Sequence, residues 1–173
     1  MTLADGPALR EIFADAETSR YAGNPPRTAA QERALLRKEV SAWRKRGAFV
    51  RRSFAIALPD GTVVGGANVR WPHGGVAELG YSIHRLHRGK GYATEAARRL
   101  VEFAFRLGAH RVQATCWVKN PASARVLAKA GLRREGRLEG YLKRGREVRD
   151  EFLYGLARSR WAGRTSSLRP RTR

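Results

Sequence analysis

An apolar run, Val76 to Ile83, passes through His84-Arg85-Leu86-His87 into Arg88-Gly89-Lys90-Gly91. From there the chain enters a pattern with Ala93, Ala97, Leu100, Val101, Ala104 and Leu107 on one face, which predicts a helix. A strand therefore feeds a tight basic turn, and the turn opens a helix. Two glycines around one lysine let the backbone fold closely and leave room for a ligand to approach it. No Ser, Thr, Asp or Asn stands just ahead of the helix as an N-cap, so its first amides lack a side-chain partner. Free amides, the positive helix end and basic side chains make an anion site, most naturally for a pyrophosphate. An exposed turn with solvated charges is the alternative that the tetrapeptide alone leaves open.

Two phosphate loops are excluded. No Gly-Lys-Ser/Thr occurs, so the Walker pattern is absent. The dinucleotide pattern needs a small residue where Thr94 stands and an acid in the next strand, and Arg111 to Val118 contains none. Arg88-Gly89-Lys90-Gly91-Tyr92-Ala93 instead resembles the Arg/Gln-x-x-Gly-x-Gly/Ala signature of the GNAT superfamily of N-acetyltransferases. Gly89-Lys90-Gly91-Tyr92-Ala93-Thr94-Glu95-Ala96 is similar to the branch that acetylates ribosomal-protein N-termini, the RimJ/RimL type. The resemblance implies an α+β fold: a mixed, mostly antiparallel sheet with a central parallel strand pair and flanking helices. It also implies acetyl-CoA as co-substrate and no metal.

A chain of 173 residues at 42% hydrophobic suits one domain with a real core. No apolar run is long enough to span a bilayer and no signal peptide is visible, so the expectation is a cytoplasmic protein without a membrane. One cysteine, Cys116, excludes an internal disulfide framework and reads as a small buried strand residue. The net charge of +20 favours polyanions or acidic surfaces, with ribosome, RNA and acidic protein all qualifying. Arginine spread along solvated faces explains much of it, and no RNA-binding signature accompanies it.

In chain order, Thr2 to Asp15 reads as a helix start and Tyr21 to Pro26 as a loop. A second helix follows, capped by Thr28 with Glu32 behind it, through Trp43 to Arg46. The resemblance places a first strand before Thr2, of which almost nothing stands here. It also sets both helices beside the acceptor site, making Tyr21 and Trp43 acceptor-side or core residues. Phe49 to Leu58, Thr62 to Trp71 and Val76 to Ile83 read as an antiparallel meander turning at Asp60-Gly61 and Gly74-Gly75. After the central helix, Gly108 is a C-cap, and His110 to Val118 returns as a parallel strand. Asn120-Pro121 caps a further helix that Gly131 stops. Glu135-Gly136-Arg137-Leu138, Arg149-Asp150, Tyr154-Gly155-Leu156 and Trp161 resemble the RimJ/RimL-type ending. The domain thus runs over 1–161, and 162–173 reads as a basic disordered tail.

The resemblance implies direct attack of an amine on the acetyl thioester. The turn amides from Arg88 to Thr94 (Arg88, Gly89, Lys90, Gly91, Tyr92, Ala93, Thr94), with the Arg88 and Lys90 side chains, would hold the pyrophosphate. Ile83 would offer backbone groups to the pantetheine arm, and an amide near Ser82 would bind the oxyanion. Asn120 and Ser123 would face the pantetheine or thiol end. Glu78, a carboxylate in an apolar strand, is the base candidate, unless it is solvated or paired with an arginine across the sheet. Many GNAT enzymes carry a tyrosine acid where Leu127 stands, which leaves Ser123 as acid candidate, Cys116 as a weaker one, or an unassisted thiolate. The acceptor expected is a protein N-terminal amine. A small amine (antibiotic, polyamine or amino acid) and a non-catalytic nucleic-acid-associated or sensor module are the alternatives. A monomer or a homodimer fits equally.

Overall fold

The computed structural model describes residues 2–22, 28–42, 51–144 and 146–162. Helices α1 (Gly6–Ala14), α2 (Ala16–Ala22) and α3 (Ala29–Ala42) come first. Strands β1 (Arg52–Ala57), β2 (Val63–His73) and β3 (Val76–Ile83) follow, then α4 (Tyr92–Arg106), β4 (Arg111–Trp117) and α5 (Pro121–Lys129). Strands β5 (Arg133–Arg144) and β6 (Glu147–Ala157) and the short α6 (Arg158–Ala162) complete the order. No helix among the described residues is long and apolar enough to cross a membrane.

The expected α+β sheet is present. Its six strands run β1-β2-β3-β4-β6-β5, antiparallel except for the parallel β3/β4 pair. That pair holds over only three positions, Val76 with Arg111, Ala77 with Val112 and Glu78 with Gln113. Beyond Glu78, β3 stays on β2 to Ile83 and β4 stays on β6 to Trp117, so the sheet splits between them. The split is the geometric fact the sequence could not supply.

Side chains alternate across the sheet. Ala67, Val69, Ala77 and Leu79 are buried with Leu100, Val101, Ala104 and Phe105 of α4 in the main core. On the opposite face, Gly66 lies so close to Leu9 and Phe13 of α1 that an added Cβ would touch both. There Leu9, Ile12 and Leu36 form a separate, smaller core between α1 and α3. Both predicted glycine stops hold: past α4, Gly108 has φ +92° and Ala109 N–H donates to the Ala104 carbonyl at 3.1 Å. Past α5, Gly131 has φ +99° and Leu132 N–H donates to the Leu127 carbonyl at 3.1 Å.

Several boundaries differ from expectation. Tyr21 is helical, because Asp15 breaks α1 and caps α2, its carboxylate accepting from the Thr18 amide at 2.8 Å. Thr28 caps α3 as expected, in a reciprocal pair with Gln31, which accepts from the Thr28 amide at 2.9 Å and donates its own amide to the Thr28 hydroxyl at 3.3 Å. Trp43, Arg46 and the expected start of β1 at Phe49 lie outside the described residues, as does the tail beyond Ala162. The ending from Leu132 onward is an antiparallel hairpin, β5 on β6, that periodicity did not reveal. Trp161 closes the core against Phe105, ring centroids 4.8 Å apart.

Candidate active site

A groove of about 1180 Å³ runs along the β3/β4 split, between the α1–α3 layer and the N-termini of α4 and α5. At one end the basic turn enters α4. Gly91 is the N-cap, at φ +89° and with no side-chain cap, and Gly89 stands at φ +79°. The first amides to bond backward are Thr94 and Glu95, both to the Gly91 carbonyl, so Tyr92 and Ala93 precede the first intrahelical bond. A Cβ built on Gly89 or Gly91 would meet nothing within 4 Å. Open space over a left-handed backbone, with uncapped amides behind it and the exposed Lys90 beside it, fits an entering pyrophosphate.

Arg88 does something else. Its backbone is in the turn, but its guanidinium reaches α2, donating to the Thr18 hydroxyl at 2.7 Å and to Glu17 at 2.5 Å. Asp15 lies 3.5 Å from it. Hydrogen bonds from the Thr18 hydroxyl and amide, with Arg88 and Arg85 nearby, hold the Asp15 carboxyl below the usual carboxylate range.

Ser82 and Ile83 line the split on β3, where the strand no longer pairs with β4. Across it, Asn120 caps α5 as predicted, its side-chain oxygen accepting from the Ser123 amide at 3.0 Å. The Ser123 hydroxyl meets the Tyr81 hydroxyl at 2.9 Å, and the Tyr81 hydroxyl also donates to the Ser123 carbonyl at 3.3 Å. Sequence reasoning missed Tyr81. It sits on the buried face of β3, in step with Ala77 and Leu79, and a buried tyrosine hydroxyl needs a polar partner. That partner stands 42 residues later, and only the fold brings it near.

Burial pushes the Tyr81 phenol well above its ordinary value, and the Ser123 hydrogen bond only partly offsets it. Cys116 is buried on β4, as expected. Burial, with Glu151 nearby, pushes its thiol up to about 11 despite a hydrogen bond with Ser123. At neutral pH it stays a thiol, which does not suit a covalent nucleophile. Leu127 is 1% exposed and contributes only packing.

Glu78 faces the groove at the apex of the split, the last β3 residue paired with β4. It is paired with Arg70 of β2 at 2.5 Å, the cross-sheet partnership that the sequence left open. Toward the far end, Tyr21 packs on Trp117, ring centroids 5.9 Å apart. Glu39 accepts from the Ser53 hydroxyl at 2.5 Å and pairs with Arg51 at 3.0 Å. Glu17, Glu32, Glu39, Glu78 and Glu151 all line the groove, five of the 15 acidic residues in a chain of net charge +20.

Residues 1–133 match the family model described as "Acetyltransferase (GNAT) domain". The chain is 38% identical over 85 residues to the uncharacterized N-acetyltransferase YnaD of Bacillus subtilis, a match spanning 49% of this chain and only 50% of that protein. It is 28% identical over 166 residues to the uncharacterized N-acetyltransferase p20 of Bacillus licheniformis, covering 94% of this chain and 93% of that protein. Among solved structures, a GNAT-family acetyltransferase from Bacillus anthracis superposes with a TM-score of 0.81 at 28% identity, over 91% of each chain. The uncapped turn at the mouth of a split sheet and these matches agree, and the chain belongs to the GNAT family of acetyl-CoA-dependent N-acetyltransferases.

Proposed function

We propose that the chain transfers the acetyl group of acetyl-CoA to a primary amine, with a protein N-terminal amine of the ribosomal-protein type as acceptor. The observation that carries the donor half is the uncapped α4 N-terminus behind two left-handed glycines with open space above them. Acetyl-CoA brings the acetyl group as a reactive thioester; the chain's own groups do the rest. The amides from Gly89 to Ala93 and the Lys90 ammonium hold the pyrophosphate, with Thr94 closing the first turn behind them. Ser82, Ile83 and Asn120 face the pantetheine arm in the split, and a β3 amide near Ser82 stabilises the oxyanion. Glu78, with Oε1 taken by Arg70, draws in the ammonium through its other carboxylate oxygen and positions the water that takes the proton. Ser123, held by Tyr81 and by the α5 cap, passes a proton to the departing sulfur and regains one from water in the groove, so that the thiol leaves neutral and the hydroxyl is restored. Attack is direct in this reading, and Cys116, buried on β4 with its thiol pushed up, is not suited to act as a covalent nucleophile.

A groove of about 1180 Å³ has volume for more than a small amine beside the coenzyme, which supports the protein acceptor. The charge outside the groove suits an acidic or ribosomal surface, through a field that salt weakens. Glutamates among the lining residues support a second reading, a small cationic amine such as a polyamine, although Arg51, Arg70 and Arg88 already pair with three of them. Whole-chain charge argues against a polycation, but the groove lining is charge-balanced, with Arg51, Arg70, Arg88, Arg125 and Lys129 facing the five glutamates, so the net positive charge lies elsewhere on the molecule.

The test is calorimetric titration of acetyl-CoA, followed by an acceptor panel of peptides with free N-termini, polyamines and amino acids. Micromolar binding and turnover of peptides alone supports the first reading. Turnover of polyamines alone moves the assignment to the second. No binding of acetyl-CoA removes the enzyme reading, leaving a basic module on this fold.

A further inference from the structure

Arg88 sits in the turn whose backbone would cradle the pyrophosphate, yet its side chain is committed elsewhere. Its Nε donates to the Ile83 carbonyl at 3.2 Å, Nη1 to Glu17 at 2.5 Å and Nη2 to the Thr18 hydroxyl at 2.7 Å. All three guanidinium nitrogens are thus engaged by β3 and α2. A guanidinium is a rigid fork, so such a set fixes orientation as well as contact. The acceptors are themselves fixed. Thr18 is 4% exposed and donates through both amide and hydroxyl to Asp15. The Ser19 hydroxyl donates to the Phe13 carbonyl at 2.5 Å, locking the bend between α1 and α2.

This matters because of how the molecule is packed. Leu9, Ile12 and Leu36 form their own core, apart from the one that seats α4. The layer bearing Glu17, Thr18 and Tyr21 rests on β2 through Gly66 and on β6 through Arg149, which donates to the Arg20 carbonyl at 2.6 Å, but among the described residues it shares no buried core residue with α4 behind the coenzyme turn. Arg88 crosses that boundary, joining positions about 70 residues apart in sequence (71 to Glu17 and 70 to Thr18).

We infer that Arg88 is a positioning residue that couples the two half-sites: it ties the coenzyme turn to α2, so that coenzyme binding orders the acceptor wall. This rests on the assignment of the groove to acetyl-CoA and an amine. By linkage the coupling is reciprocal: acetyl-CoA tightens amine binding, and the amine tightens acetyl-CoA by the same factor.

The test is amide hydrogen exchange of residues 15–22 in the full chain, with and without acetyl-CoA, beside acetyl-CoA calorimetry. Wild type should show slower α2 exchange once acetyl-CoA is added. In Arg88→Met, which keeps the aliphatic stem, α2 should exchange about tenfold faster in the free protein, the scale of a lost charge-assisted bond. Added acetyl-CoA should then leave it unchanged. Because Arg88→Met touches the turn, the double variant Glu17→Gln/Thr18→Val is the control from the other side. It should reproduce the uncoupling while acetyl-CoA affinity stays within about threefold of wild type. With any amine that turns over, both variants should raise acceptor KM by about tenfold and move kcat much less. If α2 exchange is the same in all three proteins while Arg88→Met loses more than about tenfold in acetyl-CoA affinity, Arg88 is a phosphate ligand and the proposal is wrong. Should acetyl-CoA bind none of them, the activity assignment fails, and α2 exchange in the free proteins still decides whether the tie exists.

Discussion

At the end of the groove proposed to hold the coenzyme, the residues involved are neighbours: Gly89, Lys90, Gly91, Tyr92, Ala93 and Thr94 form one turn and one helix start. At the acceptor end they are gathered from distant places: Glu17 and Tyr21 on α2, Glu39 on α3, Ser53 on β1, Glu78 on β3 and Trp117 on β4. In the proposed reading the first end binds through backbone amides and needs only the right φ angles. The second works through side chains held by one another: Glu78 by Arg70, Glu39 by Ser53 and Arg51, Tyr21 against Trp117. A backbone site tolerates many side chains but no wrong backbone. A side-chain site can be retuned one residue at a time, which suits the end that meets the variable substrate.

Substitutions at each end should therefore fail differently. The largest effect should come from Gly91→Val, because a β-branched side chain at φ +89° both strains the turn and fills the space over it. Acetyl-CoA affinity should fall by roughly 100-fold, about 3 kcal/mol, in calorimetry with a circular-dichroism melt as the fold control. A variant that binds normally would remove the backbone cradle from the donor site.

Next comes Ser123→Ala, which should lower kcat by about 10- to 100-fold at saturating acetyl-CoA while its affinity stays near wild type. Unchanged turnover would take Ser123 out of the proton path. Tyr81→Phe should give a smaller loss in kcat and cost about 1 kcal/mol of stability, since Ser123 keeps its bond to Asn120.

Glu78→Gln should lower kcat/KM for the amine by about tenfold and leave acetyl-CoA binding unaltered, separating the ends cleanly. An effect on acetyl-CoA affinity equal to that on the amine would mean that the two ends are not distinct.

The smallest effect should be that of Cys116→Ala, with activity largely retained and no acetylated cysteine in mass spectra of enzyme mixed with acetyl-CoA. The thiol titrates near 11 in the folded chain, above its ordinary value of 9.0. The unfolded chain therefore loses that proton first, and Cys116 reduces stability as pH rises from about 9 through 11. Chemical denaturation of wild type and Cys116→Ala across that window should show the wild type losing more.

The Pro121 and Asn120 start of α5, the Gly108 and Gly131 stops and the β3-turn-α4 unit were legible in the sequence, because each depends on a residue's own backbone preference or on a partner a few positions away. Cys116 was readable as buried for the same kind of reason, a small apolar residue in a strand pattern. The β5/β6 hairpin was missed because its charged residues, among them Arg133, Arg134 and Arg137, mask the period of two. The Tyr81–Ser123 contact, the reach of Arg88 to Thr18 and the pairing of Glu78 with Arg70 were beyond any local rule.

The sequence by itself determined the backbone of the proposed donor half: an anion cradle is made of consecutive amides, and glycine spacing writes them directly. Tertiary structure decided the rest. Whether Glu78 is paired, where the Arg88 guanidinium points and how wide the sheet opens past Glu78 depend on which strands and helices meet. Those contacts are selected by burying two separate cores, whose free energy belongs to the whole chain and to no single stretch of it.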